Sequence, residues 1–237
     1  MLYIIGIGLN EKGISLEGLE AVKKCKKIYL DSYTVEFPYS LKDLQKSIKK
    51  KIVELKREDI ESDGLTIQAR KENICLLIYG SPLFATTHIS LINDCKNKRV
   101  KVKVIYSTSV FDVIAETGLQ LYKFGKISSM PRWQEHYKPN SFLNFVRENK
   151  KIDAHSIILI DMGLNFKDAI SQLITASNTK SIKLDKILVC SRLGTKKSKT
   201  YYGKIKSLKN KKVANPFCFI IPGKMHFLEK EIVEKFG

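Results

Sequence analysis

An α/β chain of two domains is predicted, a largely parallel sheet with helices followed by a mixed α+β unit, and three observations carry that expectation. Short apolar runs alternate with helical patterns through the first half of the 237 residues. The run 75–79 stops at Gly80-Ser81-Pro82, and Thr86, Thr87 and His88 then open a new helical pattern. That is how an α/β protein presents backbone groups to a ligand at the carboxyl end of a strand. Beyond an irregular connector at 128–140, which holds Pro131, Trp133 and Pro139, strand-like segments follow one another more closely. The domain boundary is placed there, giving domains 1–126 and 127–237.

The elements follow in order. A strand over 2–7 ends in Gly6-Ile7-Gly8-Leu9-Asn10, and Ser15 caps a helix with Leu16, Leu19 and Val22 on one face and Gly18 tolerated inside it. A short strand at 28–30, a lysine-rich helix at 41–50, a strand at 52–55 and a helix at 64–71 come next. After the strand 75–79, a helix over 88–98 turns Ile89, Ile92 and Cys95 inward. Alternating Val and Lys over 100–106 reads as a strand with one wet face. Ser107-Thr108-Ser109 ends it, and a helix over 110–117 runs toward Gly118. Past the connector, Ser141 caps a helix to about Asn149, and strands are expected at 156–160, 187–190, within 200–208, and at 217–221. Helices at 166–176 and from Met225 complete the chain.

In the turn after residue 79, Pro82 fixes φ and removes a donor, so the loop is stiff. Thr86 or Thr87 is expected to cap the next helix, leaving other amides for a ligand. On local pattern alone an ordinary capped turn explains the same residues.

Composition bounds the rest. Apolar residues make up 43% of the chain, which excludes disorder, and no apolar run is long enough to span a bilayer. Met1 leads straight into a strand-like segment without a basic leader, so no secretory signal is expected and cytoplasm is the default. Five scattered cysteines and four histidines lack disulfide-framework or metal-ligand spacing, so no metal site is expected. The formal charge of +18 points to an acidic partner, nucleic acid or ribosome, or to a lysine-rich composition, and by itself does not choose.

The chemical motifs are mostly negative. After Gly6 and Gly8 the next glycine is Gly13, and no acidic residue ends a clear second strand at the expected distance, so a nicotinamide-dinucleotide site is not expected. A phosphate-binding Walker loop and a Gly-x-Ser-x-Gly elbow are both absent. Ser81, His88 and Asp94 contain hydrolase residue types, but His88 and Asp94 stand six apart on one helix and so on different faces. Asp161, at the end of the strand 156–160, is a stronger polar candidate, with helix capping as its ordinary role.

Several segments together resemble the diphthine synthases. They are Gly6-Ile7-Gly8-Leu9, Gly18-Leu19-Glu20, Tyr33-Thr34, the stretch Gly80 to His88, Ser109-Val110, and Gly118-Leu119-Gln120-Leu121-Tyr122-Lys123-Phe124-Gly125. Pro139-x-Ser141-Phe142, Asn149, Leu159-Ile160-Asp161, Ser191-Arg192-Leu193-Gly194 and Ile221-Pro222-Gly223-Lys224-x-His226 extend the likeness over nearly the whole chain, in order. The resemblance implies a tetrapyrrole-methylase-like fold of two domains with a ligand cleft between them, a homodimer, and S-adenosylmethionine as methyl donor. It implies as acceptor the amino group of a modified histidine on translation elongation factor 2, methylated repeatedly on the way to diphthamide. Cofactor contacts then fall on Leu9, Ser81, Phe84, Ser109, Val110, Ile160, Leu193 and Phe217.

Two positions depart from that family's pattern, which commonly has Gly-Asp-Pro where this chain has Gly80-Ser81-Pro82, and often histidine where Phe217 stands. Losing a carboxylate beside a sulfonium removes a favourable charge interaction, so weaker cofactor binding is expected. Methyl transfer to a neutral amine needs positioning more than a base, and no catalytic base is named; Asp161 and His88 are the weak candidates. Trp133 and Tyr137 could touch the protein substrate, although packing of the connector accounts for them. Competing readings are an RNA or tetrapyrrole methyltransferase of the same fold, and a non-catalytic binding protein.

Overall fold

Apolar runs bounded by turn formers become the strands, and the computed structural model, which describes residues 1–237, holds ten strands and ten α-helices. The chain divides into two compact units, Met1–Val110 and Phe111–Gly237. This division precedes the expected 126/127 boundary because the Gly118 to Gly125 string folds within the second unit. There Gly125 N–H donates to His155 O at 3.0 Å and His155 N–H to Lys123 O at 2.9 Å.

The first unit comprises β1 (Leu2–Gly6), α1 (Leu16–Lys23), β2 (Lys27–Asp31), α2 (Leu41–Ile48), β3 (Val53–Leu55), α3 (Arg57–Glu61), α4 (Gly64–Lys71), β4 (Ile74–Ile78), α5 (Ile89–Asn97) and β5 (Val102–Ile105). All pairings are parallel, in the order β3-β2-β4-β1-β5. Every residue of β1 and β4 is buried, which is why both read as unbroken apolar runs. One sheet face packs Ile5, Cys75 and Leu77 with α1 and α2 residues; the other packs Ile4, Leu76 and Ile78 with residues of α4 and α5.

Four local expectations change. Leu16 faces solvent, while Val22 of the expected face is buried together with Gly18 and Ala21. Gly18 is required rather than tolerated, since a Cβ there would stand 2.8 Å from Ile14 Cγ1 and 3.0 Å from Ile5 Cγ2. In α5, Ile89 is exposed while Leu91, Ile92 and Cys95 are buried, a shift of the inward stripe by part of a turn. The helix α3, not expected from the sequence, gains the Asp59 carboxylate accepting from Lys56 N–H at 2.9 Å and an Arg57–Glu61 pair at 2.7 Å.

A short helix, α6 (Val110–Val113), opens the second half, and 3₁₀ turns at Ile114–Thr117 and Leu121–Lys123 replace the continuous helix expected to Thr117. Then come β6 (Ser128–Met130), α7 (Phe142–Lys151), β7 (Ser156–Ile160), α8 (Phe166–Thr179), β8 (Lys186–Ser191), β9 (Lys199–Lys204), α9 (Ile205–Leu208), β10 (Phe217–Ile221) and α10 (Phe227–Glu234). The sheet order is β6-β7-β10-β8-β9, with β6 parallel to β7 and the other pairs antiparallel. The connector is thus not wholly irregular, because its start forms β6. Trp133 packs on the core and donates its ring N–H to Pro139 O at 2.9 Å, while Tyr137 is exposed. The α8 stripe Phe166, Ala169, Ile170, Leu173 and Ala176 covers one sheet face with Phe142, Leu143 and Val146 of α7.

One polar knot closes this unit. Glu229, almost fully buried, accepts Gln120 N–H at 2.9 Å and His226 N–H at 2.7 Å, and is paired with the Lys123 ammonium. The His155 ring, also buried, accepts Gly223 N–H at Nδ1 over 2.9 Å, so its proton sits on Nε2 and points to Glu229 Oε1 at 3.1 Å. Burial works against the charge on Glu229, but the Lys123 ammonium and the backbone donors outweigh it and hold its pKa down at about 2. Burial lowers the pKa of His155, with Glu229 opposing.

Both shifts are downward, so their stabilising contribution is complete at neutral pH and is lost with acid, first as the pH falls below 6.5 and then from 4.5 toward about 2. Glu229→Gln should cost about 3 kcal/mol at neutral pH and flatten the loss of stability between these last two values. Chemical denaturation across pH checks both.

Candidate functional site

The order β4-β1-β5 sends the chain from β1 to β2 on one side and from β4 across to β5 on the other, so the carboxyl ends of these strands open at a topological switch point. The ends of β1 and β4 are laced together there. Gly80 N–H donates to Gly8 O at 2.9 Å and Gly8 N–H to Gly80 O at 3.2 Å. Gly80 has φ +74, a conformation that glycine adopts without strain. A Cβ on Gly80 would stand 3.8 Å from Thr108 O and 3.9 Å from Leu9 Cδ2 and Ser109 Cα. Leu9, Gly80 and Ser109 are therefore neighbours, with room for no more than a small group at Gly80, and Ser81 and Val110 are the next residues along the chain.

The flanking loops are pinned. Tyr79 Oη donates to Leu9 O at 3.2 Å, and Ser107 Oγ to Gly13 O at 2.9 Å. Leu9 and Ser109 are buried, whereas Ser81, Phe84 and Val110 are half-buried. Phe84 lies deeper in the Gly80 loop, its N–H reaching Ser81 O at 3.3 Å. That loop is strained, since Leu83 (φ +67) and Ala85 (φ +55) both take left-handed backbone, which costs roughly 1–2 kcal/mol per residue. Such strain persists only where the surroundings over-determine it, and it concentrates at ligand sites.

Beside the end of this loop lies a residue that no sequence motif singled out. Asp31 ends β2 and is fully buried, accepting Thr34 Oγ1–H at 2.8 Å, Tyr33 N–H at 3.0 Å and Thr34 N–H at 3.3 Å. His88 Nε2 stands 3.2 Å from Asp31 Oδ2, outside the angle of a hydrogen bond. An acidic residue therefore does end the second strand, contrary to expectation, but its oxygens face inward to the protein's own donors. The signal available was an aspartate closing an apolar strand pattern just ahead of Tyr33-Thr34.

Neither Thr86 nor Thr87 caps α5; His88 occupies the cap position without a side-chain cap bond, and Thr86 Oγ1 is buried with no partner. Asp94 accepts from Thr66 Oγ1 at 2.6 Å and pairs with Lys98 at 2.9 Å, so His88 has Asp31 beside it and a Ser81-His88-Asp94 triad does not form.

In the second unit, Ile160, Leu193 and Phe217 come together at one end of the three central strands. Phe217 pairs in register with Ser191, and Cys218 with Leu159, which sets the last residue of β7, the first of β10 and the exit of β8 side by side. Arg192 N–H donates to Pro216 O at 2.8 Å and Arg192 Nε–H to Asn215 O at 2.8 Å, drawing the Leu193 turn against the start of β10. Phe217 is buried against Phe166 and Phe219, with ring centroids 5.6 Å apart in both pairs. Asp161 does not cap α8, whose cap is Asn165. Its carboxylate accepts Arg132 N–H at 3.1 Å and Met162 N–H at 3.0 Å, which makes it a turn former.

Asp31→Ala would leave three donors without an acceptor and His88 without its neighbour. An expected loss of about 3 kcal/mol should be accompanied by faster proteolysis within the Leu83 to Thr87 segment, read by denaturant melts and limited digestion.

Residues 1–209 match the family Tetrapyrrole (Corrin/Porphyrin) Methylases. The diphthine synthase of Methanocaldococcus jannaschii is 34% identical over 99% of this chain and 98% of its own length. The diphthine methyl ester synthase of Candida glabrata is 39% identical over 68% of this chain and 56% of its own. A crystal structure of diphthine synthase superposes with a TM-score of 0.88 at 28% identity, covering 100% of this chain and 95% of that one. With the likeness running the length of the chain in sequence and in fold, this protein belongs to the tetrapyrrole methylase family and, within it, to the diphthine synthases.

Proposed function

We propose that this chain methylates, repeatedly, the amino group of the modified histidine of translation elongation factor 2, using S-adenosylmethionine and giving diphthine. The observation that carries the reading is the convergence of Leu9, Gly80 and Ser109 at the carboxyl ends of β1, β4 and β5, in a chain of diphthine synthase type. The walls suit that cofactor: an apolar Leu9, a glycine that leaves room at the backbone, the Thr108 carbonyl oxygen and the hydroxyl-bearing Ser81 and Ser109. Leu9, Ser81, Phe84, Ser109 and Val110 are the proposed contacts in the first unit, and Ile160, Leu193 and Phe217 those in the second. A homodimer and a cytoplasmic location belong to the same reading. No helix is long and apolar enough to cross a membrane.

When bound, the cofactor supplies an electrophilic methyl on a sulfonium. The protein's part is positional. Leu9 and Val110 exclude water, and the Gly8–Gly80 link fixes the backbone against which the donor lies. The acceptor amine gives its proton to water before transfer, so holding it in line supplies most of the acceleration and no side chain need act as base.

Ser81 and Phe217 leave the positive donor without the carboxylate and imidazole usual in relatives of this kind. Ser81→Asp should tighten S-adenosylmethionine about fivefold by calorimetry, a gain of about 1 kcal/mol for a partly exposed charge pair. An unchanged affinity would place Ser81 away from the sulfonium. The activity itself is tested by incubating the protein with carboxy-aminopropylated elongation factor 2 and methyl-labelled cofactor. Label on the factor is expected; label on RNA in a parallel reaction, with none on the factor, overturns the choice of acceptor. Label that survives alkali marks N-methylation, and label released by alkali marks an ester.

A further inference from the structure

The positive charge of this chain is not spread evenly. Between Lys180 and Lys212 there are twelve basic residues and one acidic residue, Asp185, against 42 and 24 in the whole chain. A lysine-rich composition would distribute the excess; here most of it falls on one segment, running from the end of α8 through β8, β9 and α9. None of the ion pairs in the structure involves a residue of this segment, although lysines elsewhere, such as Lys98, Lys103 and Lys126, do find carboxylates.

We propose that this segment is a binding surface for the phosphodiester backbone of single-stranded nucleic acid. The strand β9 is the outermost of its sheet and bears Lys199 and Lys204 at its two ends on opposite faces, so the exposed edge carries positive charge on both sides. Lys204 stands directly opposite Lys186 of β8, whose ammonium lies 5.4 Å from the centre of the Tyr202 ring, so two positive charges share this end of the sheet without a carboxylate. Past α9 the chain enters a groove of about 570 Å³ lined by Lys167, Lys209, Lys211 and Lys212 with Asn165 and Asn210.

Lysines on an edge strand also deter aggregation, which accounts for Lys199 and Lys204 but not for the lysine-lined groove or the missing carboxylates. Strand addition is not the mode of binding, since the Tyr202 N–H is already given to Phe236 O at 2.9 Å.

The chemistry favours nucleic acid over an acidic protein. Protein interfaces are depleted in lysine and centre on apolar anchors. All the large exposed apolar side chains of this chain, from Leu16 to Leu228, lie outside the segment. Lysine point charges with a single arginine suit phosphates and carry no base reading, so RNA and DNA strands of one length should bind alike.

Fluorescence anisotropy with a labelled single-stranded RNA of about 20 nucleotides, the matching DNA and a poly-glutamate peptide tests this, with affinity expected to fall roughly a hundredfold from about 50 to about 200 mM salt. The set K199E/K204E/K209E/K212E should weaken RNA binding at least about tenfold, and the neutral set K199Q/K204Q/K209Q/K212Q by several-fold less. The equally charged control K23E/K24E/K26E/K27E, in the first unit, should stay within about twofold of the parent. Thermal melts check folding, and if the Glu set unfolds, the loss of binding in the folded Gln set decides. Equal losses from the control set, poly-glutamate binding as tight as RNA, a strong preference between RNA and DNA, or no binding at low salt would each overturn the proposal.

Discussion

A carboxylate taken out of water must be met by donors on every side, and two such carboxylates organise this protein. Asp31 gathers the end of β2, the Tyr33-Thr34 turn and the first residue of the α5 region around one pair of oxygens. Glu229 does the same in the second unit for Gln120, Lys123, His155 and His226. In each case the acid draws together segments far apart in sequence, and removing it exposes several unmet donors at once. The walls proposed for the cofactor need no charge of their own, because the charged groups are used to hold the loops in place.

This division of labour explains the motif strings. Those between Gly118 and Gly125 and around Gly223 to His226 sit at the Glu229 knot, where they keep the second unit closed. Asn149 belongs with them: it accepts Lys126 N–H and donates to Lys126 O, both at 2.8 Å, and so clamps the strand entering β6. By contrast, Gly8, Leu9, Gly80 and Ser109 meet, buried, at the carboxyl ends of the strands, among the contacts proposed for the cofactor. A string that marks a family can thus be structural, and one that looks like a common turn can border the site proposed for the cofactor.

The strained Gly80 loop joins these two roles. Left-handed backbone at Leu83 and Ala85 would relax if the loop were free, yet the Gly8–Gly80 hydrogen bonds fix one end and burial of His88 beside Asp31 fixes the other. A loop held this way is pre-organised, and a ligand meeting it does not have to order it.

The sequence by itself determined most of the strands, though not β6, and the parallel character of the first sheet, since apolar runs and Gly-Ser-Pro or Ser-Thr-Ser breaks are local signals. It also carried the diphthine synthase likeness, through short strings whose order does not depend on contacts. Only the tertiary structure decided that Asp31 is buried beside His88, that Gly18 is a packing requirement, that α1 and α5 turn Leu16 and Ile89 outward, and that Asp161 serves a turn. Each of those depends on what arrives from elsewhere in the chain. A helix has more than one apolar face to offer, and a carboxylate reads the same in sequence whether its partners are water or the protein's own donors.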